Sequence, residues 1–164
     1  MQEPLRLRQL LEQLVESEIS FVMVGGLAVN AWGYIRATRD IDIVPDPDRD
    51  NLDRLDALLK SLGGKVDVEG RLLDSDAISI FLRTGDRTLV VTELGRIDIL
   101  QGLPQIPPFR VLATGATDVD MNGLVVRVCS LEHLLDMKRA SNRPRDRDDL
   151  DALEGIHDDP ADQD

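Results

Sequence analysis

In the stretch FVMVGGLAVNAWGYIRATRDIDIV, Phe21 to Val44, the aspartates Asp40 and Asp42 stand one residue apart inside an apolar run. Successive side chains of a strand alternate faces, so Ile41 and Ile43 turn to the core while both aspartates share the opposite face. Carboxylates that close repel, and each titrates upward unless solvent or a cation separates them. A divalent cation removes that cost. Hard oxygen ligands suit magnesium or manganese, which take one or two carboxylates together with substrate phosphates. The pattern recurs in GRIDIL, where Asp98 lies between Ile97 and Ile99. If that strand neighbours the first, a lateral spacing of about 4.8 Å brings three carboxylates onto two ions roughly 3.5 to 4 Å apart. Such a pair activates a hydroxyl and stabilises in-line displacement at phosphorus.

Gly25-Gly26 fits the other half of that chemistry. A strand that turns into a helix through two glycines presents backbone N–H groups to a phosphate, and the missing side chains allow close approach. The blander readings are a solvated Asp-x-Asp face and a plain turn. If the extended conformation begins early, Arg36 and Thr38 join the face of Asp40 and Asp42.

The elements that must position these groups follow from periodicity. Leu7, Leu10, Leu11 and Leu14 predict an amphipathic helix over about 4–17, SFVMVG a strand, GLAVNAWGY a short helix ended by Gly33, and TRDIDIV the next strand. Asp46-Pro47 reads as the N-cap and first position of a helix striped by Leu52, Leu55, Leu58, Leu59 and Leu62 and closed by Gly63-Gly64. Strands are predicted near 77–83, 87–93 and 96–100, the first from the alternation of Ile78, Ile80 and Leu82, with Gly85-Asp86 as a turn. LPQIPPF is an irregular crossing, and Asn122-Gly123 signals a hairpin between TDVDM and LVVRV. Ser130 caps a helix over about 131–141, Pro144 interrupts, and a last helix runs over about 145–154. Residues 1–154 read as one domain, and 155–164 as an acidic, flexible tail.

At 164 residues and 42% apolar content the chain suits a single core. Apolar runs fall short of the ~20 residues that span a bilayer, and the first residues lack a signal-peptide stretch, so the expectation is a cytoplasmic protein with no membrane association. The lone Cys129 reads as a small buried hydrophobe. A net charge of −12 opposes non-specific binding to polyanions, although KRASNRPRDR makes one local cationic patch. With 3% aromatic residues, stacking platforms for single strands are mostly absent.

Gly25-Gly26, Asp40-Ile41-Asp42 and the later Asp98 resemble the minimal nucleotidyltransferase fold of the polymerase-beta superfamily. Within it the chain is most similar to abortive-infection (AbiEii-type) toxin nucleotidyltransferases and their small relatives, which carry an Arg-x-Thr-x-Asp-Ile-Asp run and a late MK...RPKD...D segment. Here that segment is MKRASNRPRDRDDLDAL, with Met137-Lys138, Arg143-Pro144-Arg145-Asp146 and Asp149. The resemblance implies an α/β (α+β) fold, a mixed sheet flanked by helices. It also implies transfer of a nucleoside monophosphate from a nucleoside triphosphate (NTP) to a hydroxyl, releasing pyrophosphate. Asp40, Asp42 and Asp98 would hold Mg2+ or Mn2+, Asp98 would also help activate the acceptor, and Gly25 and Gly26 would hold the triphosphate. The acceptor would be a tRNA end, a protein hydroxyl, or a small molecule such as an antibiotic, and a toxin would have an antitoxin partner. Gly26 stands where many members have serine.

Several residues keep two readings. Lys138, at the end of an apolar helix stripe, meets nucleotide phosphate or an active-site acid, or else snorkels to water. Arg36 and Thr38 line the nucleotide site, with Arg36 meeting phosphate or pairing with Asp40. Asp146 orients Lys138 or caps the last helix. Arg139, Arg143 and Arg147 form a solvated face or meet RNA or an acidic partner. Trp32 and Tyr34 read as packing, His133 as first-turn surface and His157 as tail, with no zinc signal. Two other functions compete: a catalytically silent nucleotide- or partner-binding module, and a structural cation site.

Overall fold

The computed structural model describes residues 3–158. In chain order the elements are α1 (Glu3–Glu16), β1 (Phe21–Val24), α2 (Gly25–Ala31), β2 (Asp40–Pro45), α3 (Arg49–Ser61), β3 (Lys65–Val68), β4 (Arg71–Leu73), α4 (Asp76–Thr84), β5 (Thr88–Thr92), β6 (Gly95–Ile99), α5 (Phe109–Gly115), β7 (Thr117–Met121), β8 (Leu124–Val128), α6 (Leu131–Ser141) and α7 (Pro144–His157). The strands form one mixed eight-stranded sheet in the order β4-β3-β5-β6-β2-β1-β8-β7. Antiparallel pairs dominate, but β2 runs parallel to β6 and β1 parallel to β8.

Alternation sorts the central strands as expected. Ile41, Ile43, Ile97 and Ile99 are fully buried, each removing enough apolar surface from water to contribute about 1.5–3 kcal/mol. The leucine stripe of α1, Leu7, Leu10, Leu11 and Leu14, packs into the same core, with α1 against β2, β6 and α3. Helix α2 lies against β1 and β2, and α6 bridges α2 and α7. Ser130 accepts a hydrogen bond from the His133 N–H at 3.1 Å, the cap expected for α6. Ser130→Ala should therefore cost about 1 kcal/mol in urea unfolding.

Four expectations are corrected. The segment 77–83 is helical, α4, because Ile78 and Leu82 are also i and i+4. Both are buried while Ile80 is exposed, a helix's pattern rather than a strand's. Gly85, with φ +74, is thus the left-handed cap of α4 and joins a helix to a strand. Helix α3 begins at Arg49 after Asp48, two residues later than the Asp46-Pro47 reading. Buried Asn51 donates to the Ser20 and Asp46 carbonyls and so holds the preceding loop extended. Helix α7 runs on to His157, so 155–157 are helical where a tail was expected. Its His157 Nε2 lies 2.8 Å from the Trp32 carbonyl and its ring meets the Trp32 ring edge-on. Residues 159–164, the rest of that expected tail, lie outside the described residues. The β3/β4 hairpin and α5 were not anticipated. Among the described residues no helix is long and apolar enough to cross a membrane.

Candidate active site

The parallel pairing of β2 and β6 sets Asp42 opposite Asp98 and Asp40 opposite Arg96, so the three acids occupy one face of adjacent strands. Burial first, and then the charges of Asp98 and Asp40, push the Asp42 carboxyl up to about 7. Lys138 and the Gly26 N–H oppose that rise. Asp40 Oδ1 is buried without a hydrogen bond, its closest ion-pair partner being Arg96 Nε at 3.5 Å. Asp98 is engaged by Arg87, whose Nε donates to Oδ1 at 3.0 Å and whose Nη2 donates to Oδ2 at 2.6 Å.

A hard divalent cation fits the donors of Asp40 and Asp42: it would satisfy an orphaned buried oxygen and relieve the like-charge repulsion that raises Asp42. Among the described residues, however, no three His, Cys, Asp or Glu side chains are gathered into a metal-holding group.

The glycine pair is sterically required here. Gly25 has φ +70, and a Cβ on it would lie on the Asp42 carboxylate, displacing it. A Cβ on Gly26 would come within 2.7 Å of Thr38 Oγ1 and 3.2 Å of Arg36 Nη1, so a side chain here would push on both. Gly25→Ala should cost on the order of 1–3 kcal/mol from backbone strain, measured by thermal unfolding, and should weaken nucleotide binding by displacing Asp42.

The structure brings Thr38, Arg36 and Lys138 to the same cleft as Gly25, Gly26, Asp40, Asp42 and Asp98, a space of about 820 Å³. Strand β2 starts only at Asp40, so Arg36 does not pair with Asp40. Its fork meets Asp149, Nε to Oδ1 at 2.7 Å and Nη2 to Oδ2 at 2.9 Å. Lys138 is buried and does not snorkel, its Nζ lying 3.0 Å from both Asp146 Oδ1 and Asp149 Oδ2. Asp146 fills both roles left open for it, since Oδ2 also accepts from the Arg143 N–H at the start of α7. Arg139 pairs with Asp136 and Glu154 on the surface.

Trp32 packs as expected, donating from Nε1 to the Cys129 carbonyl at 3.0 Å. Burial pushes the Cys129 thiol up to about 12, which suits a hydrophobe and not a nucleophile. His133 is half-buried against Gly115, with Nδ1 enclosed and unbonded, rather than on the surface. Sequence reasoning missed Arg87 and Arg96. Asp149 it noted only as part of a motif; its signal was the i, i+3 spacing from Asp146 on one helix face.

A family model described as "Nucleotidyl transferase of unknown function (DUF2204)" matches residues 4–161. No curated protein sequence matches this chain. Among solved structures the chain is similar to the lincosamide antibiotic adenylyltransferase LnuA with lincomycin bound. The two share 18% identity over 92% of this chain and 96% of that one, with a TM-score of 0.67. It is also similar to an antigenic nucleotidyltransferase-like protein from Paracoccidioides brasiliensis, at 20% identity over 94% and 76% of the two chains and a TM-score of 0.62. For ANT(2'')-Ia in complex with adenylyl-2''-tobramycin the values are 17%, 89%, 84% and 0.58. At these identities the likeness is one of fold.

Proposed function

Because this chain belongs to the DUF2204 nucleotidyl transferase family, we propose that its acidic cleft moves a nucleoside monophosphate from an NTP to an acceptor hydroxyl. The acceptor oxygen bonds to the α-phosphorus, the bond to the β-phosphate oxygen breaks, and pyrophosphate leaves. The observation that carries this reading is the register of Asp42 against Asp98, with Asp40 on the same face and the glycine pair beside Asp42.

Asp40 and Asp42 would hold magnesium or manganese, which would supply polarisation of the phosphoryl oxygens and offset the charge that develops there. Asp98 completes the acid set and takes the proton of the acceptor hydroxyl. Gly25 and Gly26 let the triphosphate approach the backbone, while Thr38, Arg36 and Lys138 line its side of the cleft. Arg36 and Lys138 are fixed by Asp149 and Asp146, so their N–H donors are positioned before substrate arrives.

The acceptor we infer is a small hydroxylated molecule, of the class that lincomycin and tobramycin represent in two of the fold's relatives. The net charge of −12 favours a neutral or cationic acceptor over RNA. A second reading, a toxin that labels a tRNA or protein and is neutralised by an antitoxin, is favoured by the MKRASNRPRD segment, whose Lys138 and Asp146 meet at the cleft.

The test incubates purified protein with magnesium and each NTP radiolabelled at the α-phosphate, offering lincomycin, tobramycin, total RNA and cell lysate in turn. Asp40→Ala/Asp42→Ala is the control. Label on a small molecule, only with intact aspartates, supports the first reading, and label on RNA or protein supports the toxin. No transfer and no calorimetric NTP binding with either metal overturns both and leaves a silent binding module.

A further inference from the structure

The three carboxylates are unequally placed. Asp42 and Asp98 face each other in register, yet the described residues gather no three acids into a metal-holding group. Asp98 is otherwise occupied: besides the two bonds above, Arg87 Nε lies 3.2 Å from Oδ2, so one guanidinium takes both oxygens.

Resting on the metal-dependent reading above, we propose that Arg87 is a latch on the metal site: its guanidinium stands in for a cation on Asp98 and leaves when divalent metal and NTP bind.

The pair is built asymmetrically. Asp98's side chain is 10% exposed and Arg87's is 55% exposed, so the arginine can leave with little loss of burial while the carboxylate stays. Water reaches the arginine side of the pair and screens it, so a divalent cation drawn by three carboxylates attracts Asp98 more strongly than this one guanidinium does. The contrast is Arg36, whose partner Asp149 is 0% exposed and whose fork has no such exit.

Arg87 also has somewhere to go. It borders both the main cleft and a neighbouring groove of about 440 Å³ that carries the carboxylates of Asp67 and Glu69. Arg87 directly precedes β5, whose first residue Thr88 pairs with Ile99 of β6, so the movement is one of the side chain about a main chain held at the sheet. Release frees both oxygens of Asp98 for metal and for the acceptor proton together.

Isotope-edited NMR of the full chain tests this. The Arg87 Nε–H resonance, assigned by its absence in Arg87→Lys, should be protected from solvent exchange without metal. With magnesium and a non-hydrolysable NTP its exchange should quicken at least about tenfold. In parallel, Mn2+ titration followed by water-proton relaxation should find Arg87→Ala roughly two- to fivefold tighter for Mn2+ than the parent, the range such a pair is worth.

If the Asp40 and Asp42 amides shift with magnesium while the Arg87 Nε–H stays protected, Arg87 is a permanent clamp and the latch is wrong. Equal or weaker Mn2+ affinity in Arg87→Ala overturns it too. If no amide near Asp40 or Asp42 responds to metal, the metal-dependent reading falls, and the latch falls with it.

Discussion

In metal-free buffer at neutral pH, Asp42→Asn is expected to unfold at a higher temperature than the parent protein and to have lost nucleotidyl transfer. Burial and the charges of Asp98 and Asp40 raise the Asp42 carboxyl from 3.8 to about 7. An acid whose folded value is raised contributes stability below its unfolded value and loses it as pH climbs toward the folded one. The parent should therefore weaken from about pH 4 to about pH 7 and then level off, while Asp42→Asn should not. About three pH units correspond to roughly 4 kcal/mol as an upper bound, and partial access of water reduces the expected gain to ~1–3 kcal/mol, or roughly 5 °C in a chain of this size. Saturating magnesium should erase most of the difference. On the proposed reading the same substitution removes a metal ligand worth several kcal/mol of charge stabilisation, so transfer should fall about a thousandfold. A variant that melts no higher than the parent, or still transfers label, sinks the assignment of Asp42.

The second large effect lies at Asp149. It is fully buried and serves two cations at once, the Arg36 fork and Lys138 Nζ. Asp149→Ala leaves both charges without their shared partner, a change that costs about 3–5 kcal/mol in buried pairs. Because Trp32 is the sole tryptophan and touches His157 on α7, its emission should shift to the red as α7 loosens, ahead of global unfolding in urea. Burial pushes Asp149 up, but the hydrogen bonds of Arg36 and Lys138 outweigh it and hold the carboxyl below its usual 3.8. A depressed acid contributes stability above its unfolded value and loses it as pH falls below, so this network fails on the acid side. With Asp42 acting in the opposite sense, the metal-free parent should be most stable near pH 4 to 5. Asp149→Ala should have a shallower acid limb, the remainder coming from Asp146, whose carboxyl Arg143, Ser141 and Lys138 also hold below its usual value against the opposing effect of burial. Unchanged urea midpoints would show that the network carries no net stability.

How far the sequence disclosed this arrangement depended on what each residue had for neighbours. Asp40, Asp42 and Asp98 were legible because a charge between isoleucines on a strand has only one face left to occupy. Helix α4 was misread because Ile78 and Leu82 satisfy a period of two and a period of 3.6 alike, and only Ile80, exposed in the structure, separates them. The β3/β4 hairpin is two strands of 4 and 3 residues in which only Val66 is fully in the core and Leu73 packs partly against it, too little apolar pattern to register. One of two readings of Arg36, beside Asp40 on a strand that starts early, fails. The chain there is irregular, and its fork went instead to a carboxylate 113 residues away. Arg87 had no local signal in TGDRTLV. Its meaning is tertiary, created when β5 pairs with β6 and carries it to Asp98.

That separation of 113 residues between Arg36 and Asp149 also sets an order in time. At ~5–20 residues per second, a ribosome that has placed Arg36 needs roughly 6 to 23 s to add Asp149. Throughout that interval the nascent chain already owns Gly25, Gly26, Asp40 and Asp42 but has nothing to hold the wall opposite them. Helix α7, the last of the described elements, is the one that fixes this wall, so a chain made only as far as α6 carries Asp40 and Asp42 without the carboxylate that Arg36 and Lys138 share.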